Sequence, residues 1–73
     1  MRAIKTSVLI EILVSLGARK VRTTGNHERW VLGSCVATVV AHREQTPGVL
    51  RSVERQLAEC AGSDRWLRDR LGQ

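Results

Sequence analysis

The spacing of apolar residues predicts a helix near the start of the chain. Four of them recur at intervals of three or four, which is the spacing of one helical face: Leu9, Ile12, Leu13 and Leu16. Thr6 or Ser7 can cap the start of this helix, because a hydroxyl oxygen can accept a hydrogen bond from the free backbone amides there. Gly17 stands where a left-handed C-terminal cap belongs.

Three short strands are predicted next, at residues 18–23, 27–32 and 35–42. They are separated by the turns Thr24-Gly25-Asn26 and Gly33-Ser34, in which Gly25-Asn26 and Gly33-Ser34 are residue pairs that supply the positive φ of a tight hairpin turn. Connections this short force an antiparallel meander.

Alternation along each strand predicts which residues share a face of the sheet. The second strand divides into an inner pair, Trp30 and Leu32, and an outer set, His27, Arg29 and Val31. On the third strand four residues are expected to point inward: Cys35, Ala37, Val39 and Ala41. Three others are expected on the outer face beside His27: Thr38, Val40 and His42.

A second long helix is predicted after a short polar loop at residues 43–45. Thr46 is its expected cap, Pro47 fits its first turn and Gly62 ends it. Its apolar stripe consists of Leu50, Val53 and Leu57 with Cys60 or Ala61. A last short helix, residues 65–71, is expected to be capped by Ser63-Asp64 and must dock on the body to be ordered.

The order α-β-β-β-α with a short extra helix predicts an α+β fold. We expect a two-layer sandwich in which helices cover one face of a three-stranded antiparallel sheet and leave the other face open. Residues 1–73 are expected to form a single domain, with 63–73 as a C-terminal helical extension. Trp30 is then expected in the core.

The charge is basic and unevenly distributed. The chain has 12 Lys and Arg against 7 Asp and Glu, a net charge of +5, and only Glu11 among the acids precedes residue 28. Such asymmetry suggests a polyanionic partner, which is either a nucleic acid or an acidic protein.

The cysteines and the apolar runs bear on the compartment. Cys35 and Cys60 lack CxxC spacing, so we expect two buried, reduced thiols in a cytoplasmic protein, although a disulfide is an alternative. A zinc site would need ligands that converge without any paired spacing, so no metal is expected. Glu11 and Ser15 interrupt the apolar run at residues 8–16, and we expect neither an export signal nor a membrane span.

His27 is the first candidate for chemistry. It follows a tight turn and stands among cations, and a histidine can change its charge near neutral pH, which suits phosphodiester cleavage. The alternative is a polar residue that is merely tolerated beside a turn.

Three short motifs in order resemble the HicA family of toxins from bacterial and phage toxin–antitoxin modules. The family's Gly-Ser-His is present as Gly25-Asn26-His27, followed by Trp30. Its Val-Thr-Val strand and nearby His correspond to Ala37-Thr38-Val39 and His42. Its Pro-Gly-x-Leu-Arg-Ser helix start is present as Pro47-Gly48-Val49-Leu50-Arg51-Ser52. The resemblance covers residues 5–61, and the departure nearest the site is Asn26, where serine is usual.

The resemblance implies the toxin component of a type II toxin–antitoxin module. Such a protein is an endoribonuclease (an mRNA interferase) with a fold similar to double-stranded-RNA-binding domains, and a HicB-type antitoxin holds it inactive. It also implies that His27 is catalytic. The expected partners are RNA and an antitoxin. We expect no cofactor, and the expected location is the cytoplasm.

Cleavage without a metal needs a base for the 2′-hydroxyl proton and cations for the phosphate charge. We expect His27 to be the base. Six further residues are candidate RNA contacts: Lys20, Arg22, Gly25, Asn26, Arg29 and His42. His42 is also a candidate acid for the leaving oxygen if the face assignment of the third strand holds. Two alternatives stay open: a non-catalytic RNA-binding module and a catalytically dead antitoxin-binding protein.

Overall fold

A three-stranded antiparallel meander forms the centre of the fold. The computed structural model describes residues 1–72, so Gln73, the last residue of the predicted extension, lies outside the described part. In chain order the elements are β1 (Ile4–Lys5), α1 (Thr6–Leu16), β2 (Arg19–Thr24), β3 (His27–Leu32), β4 (Cys35–Val40), β5 (Glu44–Gln45), α2 (Pro47–Ala61) and α3 (Trp66–Leu71). The sheet has the order β2-β3-β4, with the helices packed on it, which confirms the predicted α+β class.

Two glycine turns set the register of the meander. Thr24 pairs with His27 across the first turn, and Leu32 pairs with Cys35 across the second. Gly25 and Gly33 both have a φ of 57°, whereas no residue other than glycine has a positive φ among residues 1–72. A positive φ at the first turn residue alone is the pattern of a type II′ hairpin turn. Both predicted turns are therefore confirmed, although the first is one residue shorter than predicted because Thr24 is the last residue of β2.

The core lies between the inner face of the sheet and the helices. It comprises Leu9, Leu13, Ala18, Trp30, Ala37, Val39, Leu50, Val53, Leu57, Trp66 and Leu67. The predicted inward positions of Trp30, Ala37 and Val39 are thus confirmed. Ala41 was expected to point inward as well, but β4 ends at Val40 and Ala41 is exposed. Among residues 1–72 no helix packs on the outer face of the sheet.

The start of α1 differs from the prediction. The helix begins at Thr6, and neither Thr6 nor Ser7 caps it, because Lys5 holds the cap position without a side-chain hydrogen bond. The Thr6 hydroxyl instead donates to the backbone carbonyl of His42. It thereby joins the start of α1 to the loop that follows β4. The predicted C-terminal cap at Gly17 is confirmed, with a φ of 99°.

Residues 43–45 do not form the plain loop that was predicted. Glu44–Gln45 pairs with Ile4–Lys5 as a small second sheet. Gln45 is only 1% exposed, and its Nε2 donates to Thr6 Oγ1 at 2.8 Å and to the Val40 carbonyl at 2.6 Å. The buried side-chain amide therefore has two acceptors, one at the start of α1 and one at the end of β4.

The prediction of reduced thiols was wrong. Cys35 and Cys60 form a disulfide, with 6.0 Å between their Cα atoms. Cys35 begins β4 on the inner side of the sheet, and Cys60 lies in the last turn of α2, so the packing of α2 on the sheet brings them together. Their separation of 25 residues carries no sequence signal of this proximity.

The second long helix matches its prediction closely. The Val49 amide donates to the Oγ1 of its cap, Thr46, at 3.4 Å, Pro47 is its first residue, and Gly62 ends it with a φ of 83°. The predicted apolar stripe is buried, but it also contains a carboxylate, Glu54, which is 3% exposed.

Glu54 holds α3 in place. Its Oε2 accepts hydrogen bonds from the amides of Leu67 and Arg68 at 3.1 and 2.9 Å, and its Oε1 accepts one from Arg68 Nε at 2.9 Å. The predicted cap by Ser63-Asp64 is only partly present: Arg65 holds the cap position without a side-chain hydrogen bond of its own, and Ser63 Oγ accepts from the Arg65 amide at 3.0 Å. A carboxylate from α2 thus satisfies amides that a short helix leaves free.

Replacement of Glu54 should destabilise the fold. In Glu54→Ala the amides of Leu67 and Arg68 and the Arg68 guanidinium lose their acceptor, so we expect the free energy of unfolding to fall by roughly 2–4 kcal/mol. Urea denaturation measures this loss. Glu59→Ala, an exposed glutamate on the same helix, is the matched control and should change stability by less than about 0.5 kcal/mol. Equal losses in the two variants would contradict the role of Glu54.

Candidate functional site

Nine side chains project from the uncovered face of the sheet, which we call the open face. Residues directly opposite one another on neighbouring strands share a face, so the pairing defines three rows. The rows are Thr24–His27–Val40, Arg22–Arg29–Thr38 and Arg19–Val31–Val36. Polar and cationic residues dominate the two rows nearest the first turn, and two valines occupy the row nearest the second turn. The predicted outer positions of His27, Arg29 and Thr38 are confirmed.

A bulge in β2 places two arginines on this face. The register shifts between Lys20 and Arg22, so Val21 is an extra residue with no counterpart on β3. Strict alternation would put residues three apart on opposite faces. Because of the extra residue, Arg19 and Arg22 both belong to the open face.

The first turn fixes the position of His27. This residue begins β3 directly after Gly25-Asn26, and it is exposed. The Asn26 carbonyl accepts a hydrogen bond from the Ala41 amide at 2.6 Å. This bond joins the turn to the first residue after β4. His27 is therefore held at the end of the central strand, between Thr24 of β2 and Val40 of β4, and its side chain is exposed.

A hollow of about 210 Å³ lies beside His27. Its lining residues are Arg22, Thr24, His27, Glu28, Arg29 and Thr38. The Glu28 carboxylate is engaged elsewhere, because its Oε1 accepts from Trp30 Nε1 at 3.2 Å and its Oε2 lies 3.8 Å from Lys20 Nζ. The hollow thus combines an imidazole, two guanidinium groups and two hydroxyls.

Arg22 and Arg29 stand directly opposite each other on β2 and β3. Like charges in directly opposed positions destabilise a pair of strands. Within residues 1–72 neither guanidinium forms an ion pair with a carboxylate. The local charge is therefore uncompensated, and a bound anion would relieve it.

The structure brings together only some of the residues predicted for the site. His27, Arg22 and Arg29 line the hollow, and Gly25-Asn26 forms the turn beside it. Lys20 does not join them, because it pairs with Trp30 across the strands and extends toward Glu28 on the inner side of the sheet.

His42 also lies apart from the hollow. The prediction that it shares the outer face depended on a third strand that reached residue 42, but β4 ends at Val40 and His42 lies in the following bend. Thr24, by contrast, lines the hollow and was not predicted to do so. It was predicted to belong to the turn, but it is the last residue of β2 and pairs with His27.

The described residues also bear on metals and membranes. Nowhere in residues 1–72 do three or more His, Cys, Asp or Glu side chains gather as a group that could hold a metal ion. The two thiols that a zinc site would use are bonded to each other. None of the helices of this part of the chain is long and apolar enough to cross a membrane.

Reversal of one charge in the arginine pair should stabilise the fold. Arg22→Glu replaces a like-charge pair with an opposite-charge pair, so the free energy of unfolding should rise by about 0.5 kcal/mol, and more at low ionic strength. Urea denaturation of the variant measures the change. The gain should vanish in an Arg29→Gln background, where no guanidinium remains opposite residue 22. A loss of stability, or a gain independent of residue 29, would contradict the uncompensated pair.

Comparison with known proteins adds no identification to this geometry. No family model, no curated protein and no solved structure matches the chain. Membership of the HicA family therefore stays a prediction from the sequence motifs.

Proposed function

We propose that this chain is a metal-independent endoribonuclease of the HicA type, the toxin of a toxin–antitoxin module. The observation that carries the proposal is the hollow on the open face, where His27 lies with Arg22 and Arg29 among its lining residues. This combination supplies a base beside cations, which RNA cleavage through the 2′-hydroxyl requires.

The proposed reaction uses the substrate's own hydroxyl as nucleophile. His27 takes the proton from the 2′-hydroxyl, and the 2′-oxygen attacks the adjacent phosphorus. The bond from phosphorus to the 5′-oxygen breaks, and that oxygen takes a proton from solvent. The products are a 2′,3′-cyclic phosphate and a 5′-hydroxyl. Arg22 and Arg29 stabilise the charge that builds up on the phosphate oxygens in the transition state.

The proposed partners follow from the resemblance and the charge. The RNA is mRNA, and a HicB-type antitoxin covers the open face when the toxin is inactive. Val31 and Val36 in the third row would give a protein partner an apolar contact beside the cationic rows.

The proposed location is the cytoplasm, where thiols are kept reduced. The disulfide joins the start of β4 to the end of α2, and neither cysteine lines the hollow. The site is therefore expected to function with the bridge open as well as closed.

One observation favours a second candidate, a non-catalytic RNA-binding module. Only one histidine lines the hollow, and His42, the candidate acid, lies outside it. A face of this kind would still bind RNA through its arginines. The start of α2 offers little for binding a duplex, because Arg51 is the only cation near Pro47 there.

Cleavage of a labelled single-stranded RNA in EDTA tests the proposal. We expect the wild-type chain to cut it, with and without dithiothreitol, and to leave an all-2′-deoxy strand of the same sequence intact. His27→Ala should reduce the rate by roughly 10²–10⁴-fold, because it removes the base. His42→Ala is the matched control, since it is the same change at another exposed histidine, and it should retain activity.

Three outcomes would count against the proposal. Equal rates for the two histidine variants would exclude the role of His27. Cutting of the deoxy strand would exclude the 2′-hydroxyl as nucleophile. Binding of RNA without any cleavage by the folded wild type would favour the non-catalytic module.

A further inference from the structure

The open face has no tryptophan, tyrosine or phenylalanine ring on which a base could stack. The chain contains two tryptophans and neither tyrosine nor phenylalanine. Trp30 and Trp66 are each 4% exposed, and both have an indole N–H that donates within the protein. Proteins that read single-stranded RNA by its bases usually stack them on exposed aromatic side chains. The open face therefore lacks the indole and phenyl platforms of such proteins, and its one ring, the His27 imidazole, is assigned to the 2′-hydroxyl in the proposed reaction.

The open face offers guanidinium groups and hydroxyls instead. Arg22 and Arg29 oppose each other beside His27. Arg19 lies on the same strand as Arg22, in the neighbouring row of the open face. Arginine suits phosphate because its planar fork can donate two parallel hydrogen bonds to two oxygens. Thr24 and Thr38 add hydroxyls that can donate to further phosphate oxygens.

The opposed arginines favour an anion between them. Each destabilises the other in the free protein, and no carboxylate in residues 1–72 forms an ion pair with either of them. A phosphate bound between them gains attraction from both and removes their repulsion. The Glu28 carboxylate does not compete for this position, since Trp30 and Lys20 hold it on the inner side.

We infer that the open face holds RNA by its backbone phosphates alone, without reading its bases. One phosphate lies between Arg22 and Arg29 beside His27, and a second lies at Arg19. The inference rests on the proposed function for the choice of RNA as the ligand, and it gives that function a substrate class: strands of any base sequence.

Binding of oligomers that lack bases tests this inference. Fluorescence anisotropy compares three labelled strands of about twelve nucleotides, a length within the usual site size: deoxyadenylate, deoxythymidylate and an abasic strand with tetrahydrofuran in place of each nucleoside. Because these strands carry no 2′-hydroxyl, they report binding without cleavage. We expect all three to bind with affinities within about three-fold of each other, whereas stacking would make the abasic strand weaker by about ten-fold or more.

The salt dependence of binding identifies the residues that contact phosphate. For single strands the slope of log K against log salt is about −0.7 for each contacted phosphate. Because two phosphates are contacted, the wild-type slope should be about −1.4 or steeper. Arg19→Gln, Arg22→Gln and Arg29→Gln should each weaken binding equally for all strands and make the slope shallower. Arg51→Gln, an exposed arginine on α2, is the matched control and should change neither quantity.

The inference is overturned if the abasic strand binds about ten-fold more weakly, if no strand binds, or if Arg51→Gln acts like the other three variants. Polyglutamate that competes as well as the abasic strand would overturn it in favour of an acidic protein. Failure here is distinguishable from failure of the proposed function. Binding of all strands with no cleavage of RNA leaves the inference standing, and cleavage with base-dependent binding leaves the proposed function standing.

Discussion

The packing of α2 against β4 is the interaction on which the rest of the structure depends. Three fully buried side chains of α2 fill the space above the inner face: Leu50, Val53 and Leu57. The same two elements are joined at the edge, where the Thr38 amide donates to Gln56 Oε1 at 3.2 Å, and at one end, where Cys35 is bonded to Cys60. The helices of residues 1–72 cover one face of the sheet in this way, and none of them packs on the opposite face.

The consequence is a division between a face that stabilises and a face that can act. The buried apolar core lies on the inner side. The open face carries Arg22 and Arg29 in opposed positions without an ion pair to a carboxylate, and their repulsion opposes stability. Natural proteins often retain such unfavourable arrangements where a ligand relieves them. The bulge at Val21 belongs to the same design, because it puts Arg19 on the open face with Arg22 and leaves Lys20 on the inner side, beside Glu28.

Local rules predicted much of the fold, and contacts between distant residues were beyond them. The glycines of the two hairpin turns and the apolar stripes of the long helices carry signals within a few residues, so the meander and the faces of β3 followed from the sequence. The β1–β5 pairing depends on the buried amide of Gln45, and the docking of α3 depends on the carboxylate of Glu54. Neither residue belongs to a periodic pattern in the sequence that would reveal its contact. For the site, alternation placed His27 and Arg29 correctly. It failed for Lys20 and His42, because a strand's length and its bulges are settled by tertiary packing.

Mapping of the bound strand by NMR tests most directly that the open face is the functional surface. An abasic or deoxy strand is added to the ¹⁵N-labelled protein, and the shift of each backbone amide is followed. The account predicts that the largest changes occur at Arg22, His27, Arg29 and Thr38, with small changes along α2 and α3. Changes centred on α2, at Arg51 and its neighbours, would contradict it, because the binding surface would then lie on the helical layer.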